Sequence, residues 1–358
     1  MPNPTRTIPL PTGEPLTISV LHPPLPEDWA HLVWWGVVRD ELVSGVVSPW
    51  LYTPYFIGEI DGAFAASMTY YTPEDTRDVG VVEFVQTVET HRRKGIASVL
   101  LQYMIERFRE DGGKALYLCT ANPGAGTLYE KHGFRYHLGD GMRYLAPGCD
   151  GFDEAYFGYA GPGQVRDAHW GDLPRVTALY NHGTPGWLVK DYISHCFSDT
   201  RYEQHFMKLM KQAEGDSGAF VVLESPGHHV VGAAAMVRYD TFYEQHVAEM
   251  TLRIIPNYMG RISDIIEAME VKATEQSISV LQIHLADCDD DQKALLRDAG
   301  FSEEGRLKRH LLLDDGVTDL LIYRKHLTSD AKHTNSRDDY YGSRFLWQEE
   351  RVRKEKDT

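Results

Sequence analysis

Two stretches of this 358-residue chain follow one spacing, and that spacing limits the fold more than any other feature. Gly95 and Gly133 stand 38 residues apart, and Gly260 and Gly300 stand 40 apart. The first stretch closes on Tyr129-Glu-Lys-His-Gly133-Phe134, the second on Leu296-Arg-Asp-Ala-Gly300-Phe301. Glu83 precedes its glycine by 12 residues and Glu249 precedes its own by 11. The pattern reads as a tandem duplication. At ~100–200 residues per domain the length agrees with two domains. The expected division is 1–150, a linker at 151–163, a second domain at 164–327, and a polar tail at 328–358.

Hydrophobic periodicity fills in the first unit. Residues 1–15 read as a flexible lead and Leu16 to Leu21 as a strand. Trp29 to Val47 has helical spacing. Tyr55 to Ile60 and Ala63 to Tyr71 read as strands joined by a tight Asp61-Gly62 turn. The β-branched run Val79 to Val88 is a further strand. Ile96 to Arg109 switches to helical period, with Val99, Leu100, Met104, Ile105 and Phe108 on one face and Gly112-Gly113 closing the helix. Ala115 to Cys119 is a strand, Gly126 to His132 a short helix, and Phe134 to Leu145 a last strand or pair. Pro147 to Gly163 holds five glycines and two prolines, so it reads as a linker. A second cycle then repeats the order, with strands at Ala219–Leu223, Val230–Tyr239, Val247–Ile254 and Val280–Leu285 and helices at Ile262–Thr274 and Gln292–Asp298. The fold class is α+β, with helices layered on sheets.

Charge narrows the partners. A formal charge of −16 argues against nucleic acid or an anionic membrane, since both reward a basic surface. Cys119, Cys149, Cys196 and Cys288 are scattered with no CxxC pair, which suggests neither a disulfide framework nor a metal site. The proline-rich start lacks an apolar signal core, and no apolar run approaches ~18 residues. These features predict a cytoplasmic setting. The tail carries seven acidic and seven basic residues. It is either a disordered arm or one docked through Tyr340, Tyr341, Phe345 and Trp347.

The chemistry concentrates in Val85 to Leu101, where a strand runs through a short basic loop into a helix. A helix N-terminus offers unpaired N–H groups and the positive end of a dipole, which suits a pyrophosphate. Gly95 lets backbone approach the phosphate and Ala97 keeps the entry small. Arg92, Arg93 and Lys94 add charge. A solvated charge run before an ordinary helix is the plainer alternative.

With Arg92-Arg93-Lys94-Gly95-Ile96-Ala97 followed by a strand, Asn122, Tyr129 and Gly133-Phe134, residues 16–145 resemble the GNAT acyltransferase superfamily. The resemblance implies two tandem GNAT-like domains, each a mixed, mostly antiparallel sheet flanked by helices. It implies an acyl-CoA-dependent N-acyltransferase using acetyl-CoA or another acyl-CoA. The diphosphate would rest on the amides of Arg93, Lys94, Gly95, Ile96, Ala97 and Ser98, beside Arg92. The pantetheine arm would pair with the strand edge at Val85, Thr87 and Val88. Asn122 would either bond that arm or cap the following helix. Tyr129 would be the general acid at the sulfur, and Glu83 a general base or a structural residue. The expected partner is a small-molecule primary amine, with the assembly left open between a homodimer and a single chain.

The second repeat departs from this pattern. Its loop reads Asn257-Tyr-Met-Gly260-Arg-Ile262, and Leu296 stands where a tyrosine would be needed. Leucine donates no proton, so this half is expected to be non-catalytic and to shape the acceptor pocket or an interface. His228-His229 reads as a surface turn. Asp287, Asp289, Asp290 and Asp291 lack calcium-loop register and read as a solvated loop or helix start. Trp34, Trp35, Trp50, Tyr52, Tyr55 and Phe56 would line an acceptor pocket or pack the core, as would Tyr70 and Tyr71. The competing functions are a CoA-sensing protein without turnover and an acyl-CoA hydrolase or decarboxylase.

Overall fold

A computed structural model describes residues 5–327, apart from 35, 37, 184–186, 190–191, 194–195, 198–201, 216 and 314–315. The expectations for Trp35 and for the tail at 328–358 lie outside the described residues.

The first half opens with β1 (Thr5–Pro9) and β2 (Pro15–Leu21), a 3-10 turn, and the short α1 (Arg39–Ser44). Then come β3 (Leu51–Tyr52), β4 (Tyr55–Ile60), β5 (Ala63–Pro73) and β6 (Val79–Thr87). It closes with α2 (Ile96–Glu110), β7 (Ala115–Cys119), α3 (Pro123–Lys131), β8 (Arg135–Leu138) and β9 (Gly141–Leu145). These strands form one sheet in the order β1-β2-β4-β5-β6-β7-β9-β8, with β3 paired to β5. Neighbours are antiparallel except β6 and β7, which run parallel and are bridged by α2. The β4–β5 turn carries Asp61 and Gly62 at φ 51° and 77°. Two successive positive φ values are what a two-residue hairpin of matching twist demands.

After α4 (Phe152–Phe157), the second half runs through β10 (Gln164–Asp167), α5 (Leu173–Tyr180), β11 (Tyr192–Ile193), β12 (Cys196–Phe197) and α6 (Tyr202–Glu214). It continues with β13 (Gly218–Glu224), β14 (Val230–Arg238), β15 (Val247–Ile254), α7 (Ile262–Glu275), β16 (Val280–Ala286), α8 (Asp290–Asp298), β17 (Ser302–Leu313) and β18 (Gly316–His326). Its main sheet has the order β10-β13-β14-β15-β16-β18-β17. The single parallel step, β15 beside β16, again carries its crossover helix, α7. Element for element, this is the order of the first sheet without β1 and β3. The fold is α+β, with two mostly antiparallel sheets flanked by helices.

Each crossover helix is held by its apolar stripe. Leu100, Leu101, Met104, Ile105 and Phe108 of α2 are buried in one core with Leu16, Ile18 and Val20 of β2. Ile262, Ile265, Ile266, Met269 and Ala273 do the same for α7.

Three sequence expectations change. The lead is not wholly loose, because β1 (Thr5–Pro9) pairs antiparallel with β2, from Thr5↔Ser19 to Pro9↔Pro15. Proline is compatible with such an edge strand. The glycine-rich stretch after Pro147 contains α4, whose Phe152, Tyr156 and Phe157 are buried. The sequence reading also left α6 unassigned.

The halves meet around α5. All eight of its residues are buried, and it packs on β5 and β6 of the first sheet and on β14 and β15 of the second. At its start lies an ionic network. Asp172, fully buried, accepts from Arg166 Nη1 and Nη2 at 2.7 and 2.8 Å and from the His169 backbone N–H at 2.9 Å. The buried Arg175 donates to Asp172 at 3.5 Å and to Asp75 of the first half at 2.5 Å. Lys211 pairs with Glu41 across the same boundary. His229 is part of this seam rather than a surface turn. Its Nδ1 lies 2.7 Å from Tyr156 O, and its ring stacks on Tyr156 at 3.8 Å.

Candidate active site in the first half

The parallel pair β6/β7 is short. Val79–Val81 pair with Ala115–Tyr117, and no further pair follows. Beyond it the strand ends part, and a cleft of about 1130 Å³ opens, lined by Val82 to Thr87 on one side and Leu118 to Thr120 on the other. A bulge in β6 shapes it. Ser67↔Gln86 and Thr69↔Glu83 are consecutive in register, so β6 carries an extra residue there. Phe84 sits at the bulge with φ 52°. A left-handed phenylalanine costs roughly 1–2 kcal/mol, and bulges of this kind re-aim side chains beside functional sites. Phe84 is buried there, between Tyr71 at 6.3 Å and the half-exposed Trp34 at 4.7 Å.

The basic loop and the start of α2 line the same cleft. Arg92, Arg93, Gly95, Ile96, Ala97 and Ser98 all face it. Arg93 and Gly95 have φ 66° and 86°, placing a left-handed residue on either side of Lys94. Alternation of this sort turns amides toward a common concavity. Gly95 is the N-cap of α2, and the first helix bond runs from Val99 N–H to Gly95 O at 3.1 Å. The preceding amides are those a helix leaves unbonded. A Cβ on Gly95 would lie 3.1 Å from Pro11 Cγ and Cδ.

Two of the sequence-predicted residues do not line the cleft. Val88 gives its N–H to Ala65 O at 2.9 Å, and Lys94 turns away to pair with Glu14 at 2.9 Å. The Lys94 ammonium is the first cause holding the Glu14 carboxyl below its usual value. Val85 and Thr87 do line the cleft. Asn122 lines it too, as the N-cap of α3, with Oδ1 accepting from Gly124 N at 2.9 Å and from Ala125 N at 3.4 Å. Capping thus occupies its carbonyl oxygen.

Tyr129 and Glu83 complete the lining. Tyr129 is only 6% exposed. Burial pushes its phenol up to about 12, with the Glu83 charge adding to the effect. The buried Tyr71 is raised first by burial, with Tyr55 and the Glu83 charge adding to it, so the Glu83 carboxylate lies within electrostatic reach of both phenols. Of the aromatics flagged in sequence, Tyr55, Phe56, Tyr70 and Tyr71 are core, whereas Trp34 faces the cleft. Sequence reasoning did not single out Phe84, Cys119 or Thr120. Cys119 and Thr120 had a signal, as they stand at and just past the end of β7, whereas Phe84 lies in the middle of β6.

The equivalent place in the second half is closed. β15 and β16 pair over Val247–Met250 and Val280–Ile283. Beyond that, Thr251, Leu252 and His284 surround a space of about 10 Å³, stopped by Val189 and Gln292. The loop before α7 is a 3-10 helix, Pro256–Arg261, instead of an alternating glycine loop, and its Asn257 Nδ2 donates to Gly158 O at 3.2 Å. Leu296 is fully buried. Glu249 is bound up in a buried network with His284 at 2.8 Å and Tyr239 at 3.2 Å. Asp287 binds Arg306 at 2.7 Å, and Asp289 is buried, accepting from Leu188 N at 2.6 Å, so the acidic cluster is partly structural.

Residues 24–134 match the family model described as the acetyltransferase (GNAT) family. That stretch is a GNAT acetyltransferase domain. Similar solved structures include a ribosomal-protein-alanine N-acetyltransferase from Brucella melitensis, 24% identical, covering 46% of this chain and 99% of that one with a TM-score of 0.38. Another is a phosphinothricin acetyltransferase from Sinorhizobium meliloti in complex with AcCoA, 17% identical, covering 49% of this chain and 96% of that one with a TM-score of 0.42. No curated protein matches the chain. Among the described residues no helix is long and apolar enough to cross a membrane.

Proposed function

We propose that the GNAT half, residues 1–150, is the catalytic unit of an acyl-CoA-dependent N-acyltransferase. It transfers an acyl group, most simply acetyl, from acetyl-CoA to the primary amine of a small molecule. One observation carries this reading: a single cleft collects the amide-rich loop at Arg93–Ser98, the free edge of β6 at Val85–Thr87, and the buried phenol of Tyr129.

The residues fit the donor. The unbonded amides at the start of α2 suit a diphosphate, helped by the Arg92 and Arg93 guanidiniums, and the unpaired edge of β6 offers backbone groups to an extended amide chain. Acetyl-CoA supplies an activated thioester carbonyl. Tyr129 is fully protonated near neutrality, so its hydroxyl is ready to donate. Passing the proton outright to a thiol of ordinary pKa, ~8.5, is uphill from about 12. Its contribution is therefore a hydrogen bond to the sulfur as charge develops there. Glu83 is the candidate acceptor, directly or through water, for the proton the amine must lose. The residues that line the cleft all belong to the first half; the second half, residues 164–327, backs the sheet that carries them. Its α5 packs on β5 and β6, and the acceptor would enter the cleft beside Trp34.

The test is thiol release from acetyl-CoA across a panel of small amines, with product masses. Release that needs an amine and yields its N-acetyl derivative is expected. Release without amine would point to a hydrolase, decarboxylation of malonyl-CoA to the rival chemistry, and CoA binding with no turnover to a sensor.

A further inference from the structure

A chain of hydrogen bonds leads from the phosphate-facing end of α2 to a histidine that catalysis does not use. Ser98 lines the cleft on the first turn of α2. Its Oγ lies 2.7 Å from His132 Nε2, and His132 is the C-cap of α3. The other ring nitrogen, Nδ1, lies 3.3 Å from Gln102 Oε1, and Gln102 Nε2 donates to Glu106 Oε1 at 3.0 Å. Ser98, Gln102 and Glu106 follow one another at four-residue intervals, so they share one helix face. The sequence fixes the polarity of the whole relay. Glu106 accepts only, so Gln102 must offer its amide N–H₂ there and its oxygen to the histidine. Nδ1 then carries the proton, and Nε2 of the neutral ring accepts from the Ser98 hydroxyl.

We propose that His132 is a proton-linked positioning residue for the donor's diphosphate, acting through Ser98. While the ring is neutral, the Ser98 proton is tied to Nε2 and points away from the cleft. When the ring is protonated, Nε2–H donates to Ser98 Oγ instead. The hydroxyl proton is then free to turn to a phosphate oxygen, and an imidazolium stands one bond behind it. Both changes favour an anion, so diphosphate binding and proton uptake at His132 assist each other. In the ligand-free chain the ring is held neutral: burial lowers its pKa, and the Lys131 charge on its own helix adds to this. Across from it, α2 presents the uncharged Ser98 and Gln102, with Glu106 beyond Gln102. Glu106 is itself 3.7 Å from Arg6.

The sign follows from linkage. A bound diphosphate raises the ring's pKa above its free value, so affinity is flat at high pH. It rises as pH falls through the bound-state value and levels off below the free one, which lies under 6.5. This rests on the acyl-CoA reading of the cleft, and the experiment separates the two. The probe is dephospho-CoA, which has the diphosphate but no phosphomonoester of its own to titrate near pH ~6. Its affinity is measured by calorimetry from pH 8 to pH 5.5 in buffers of different ionisation enthalpy. The wild-type chain is expected to tighten by about tenfold with uptake of a proton. His132→Gln keeps a hydrogen-bonding group but cannot titrate, and should bind with no pH dependence and no uptake. The KM of S-acetyl-pantetheine, which lacks the diphosphate, should be the same for both. Equal pH dependence in wild type and variant, or equal weakening of the truncated donor, overturns the proposal alone. Failure of the wild-type chain to bind dephospho-CoA or CoA overturns it together with the function on which it rests.

Discussion

Tyr129→Phe is expected to lower kcat by about 10²-fold while leaving the affinity for acetyl-CoA nearly unchanged. The ring fills the same space against Phe134, whose centroid is 5.6 Å away, so packing is conserved and only the hydroxyl is lost. Removing one positioned donor from developing negative charge costs about 10²–10³ in kcat, or ~2.7–4 kcal/mol. The pH profile adds a second check. Because burial raises the phenol to about 12, the protonated form persists up to that value. The contribution of Tyr129 is therefore present at neutral pH and is not lost on the alkaline side before pH 10. Steady-state kinetics of the wild-type and variant chains would show it. A variant with unchanged kcat would remove Tyr129 from the chemistry and leave it as a packing residue.

Asp172→Ala should be the most destabilising single substitution at the seam between the halves. The side chain is fully buried and is the shared acceptor for Arg166 and Arg175. Taking it away leaves Arg175, itself buried, with Asp75 as its remaining carboxylate. Breaking a buried ion pair from one side costs about 3–5 kcal/mol when the surviving charge is left with no partner. Here Arg175 keeps Asp75 and Arg166 keeps Glu224, so the lower end, about 3 kcal/mol, is expected. Thermal melting should fall by roughly 10 °C. Burial alone would raise the Asp172 carboxyl, but the hydrogen bonds and charge of Arg166 outweigh it and hold the carboxyl below its usual value. A carboxyl lowered on folding stabilises above its unfolded pKa of ~3.9 and loses that contribution as pH falls through the folded value. The difference in Tm between wild type and Asp172→Ala should accordingly be full at pH 7 and narrow below pH 4. A variant melting within a degree or two of wild type would show that the network is dispensable.

Much of this architecture could be read from residue patterning. Strands such as β6 and β15 are rich in β-branched residues, and the two crossover helices announce themselves by a change of period and a glycine. The repeated element order was visible because Gly133 and Gly300 follow equivalent short helices, and in the structure both have left-handed φ, 92° and 88°. Other elements carry no such signal. Thr5–Pro9 is a strand only because β2 lies beside it, and proline masks the alternation. Phe152, Tyr156 and Phe157 form a buried helical face inside a glycine-rich stretch whose composition reads as linker. In the site, the basic loop, Tyr129 and Glu83 were legible from order and spacing. The bulge at Phe84 was not, since an extra residue in β6 is defined by the register of β5. Nor was the diversion of Lys94 to Glu14, 80 residues earlier in the chain. The Ser98–His132 contact joins residues 34 apart, and periodicity says nothing about such pairs.

The account stands on donor binding in the first half alone, and calorimetric titration of CoA tests it most directly. Three chains are needed: wild type, Gly95→Val and Gly260→Val. At Gly95 a side chain would adopt left-handed backbone at roughly 1–2 kcal/mol, beside Pro11 and over the amides. At Gly260 a Cβ meets nothing within 4 Å. One CoA per wild-type chain is predicted, abolished by Gly95→Val and untouched by Gly260→Val. No binding to wild type, or binding that survives Gly95→Val and disappears with Gly260→Val, would contradict it.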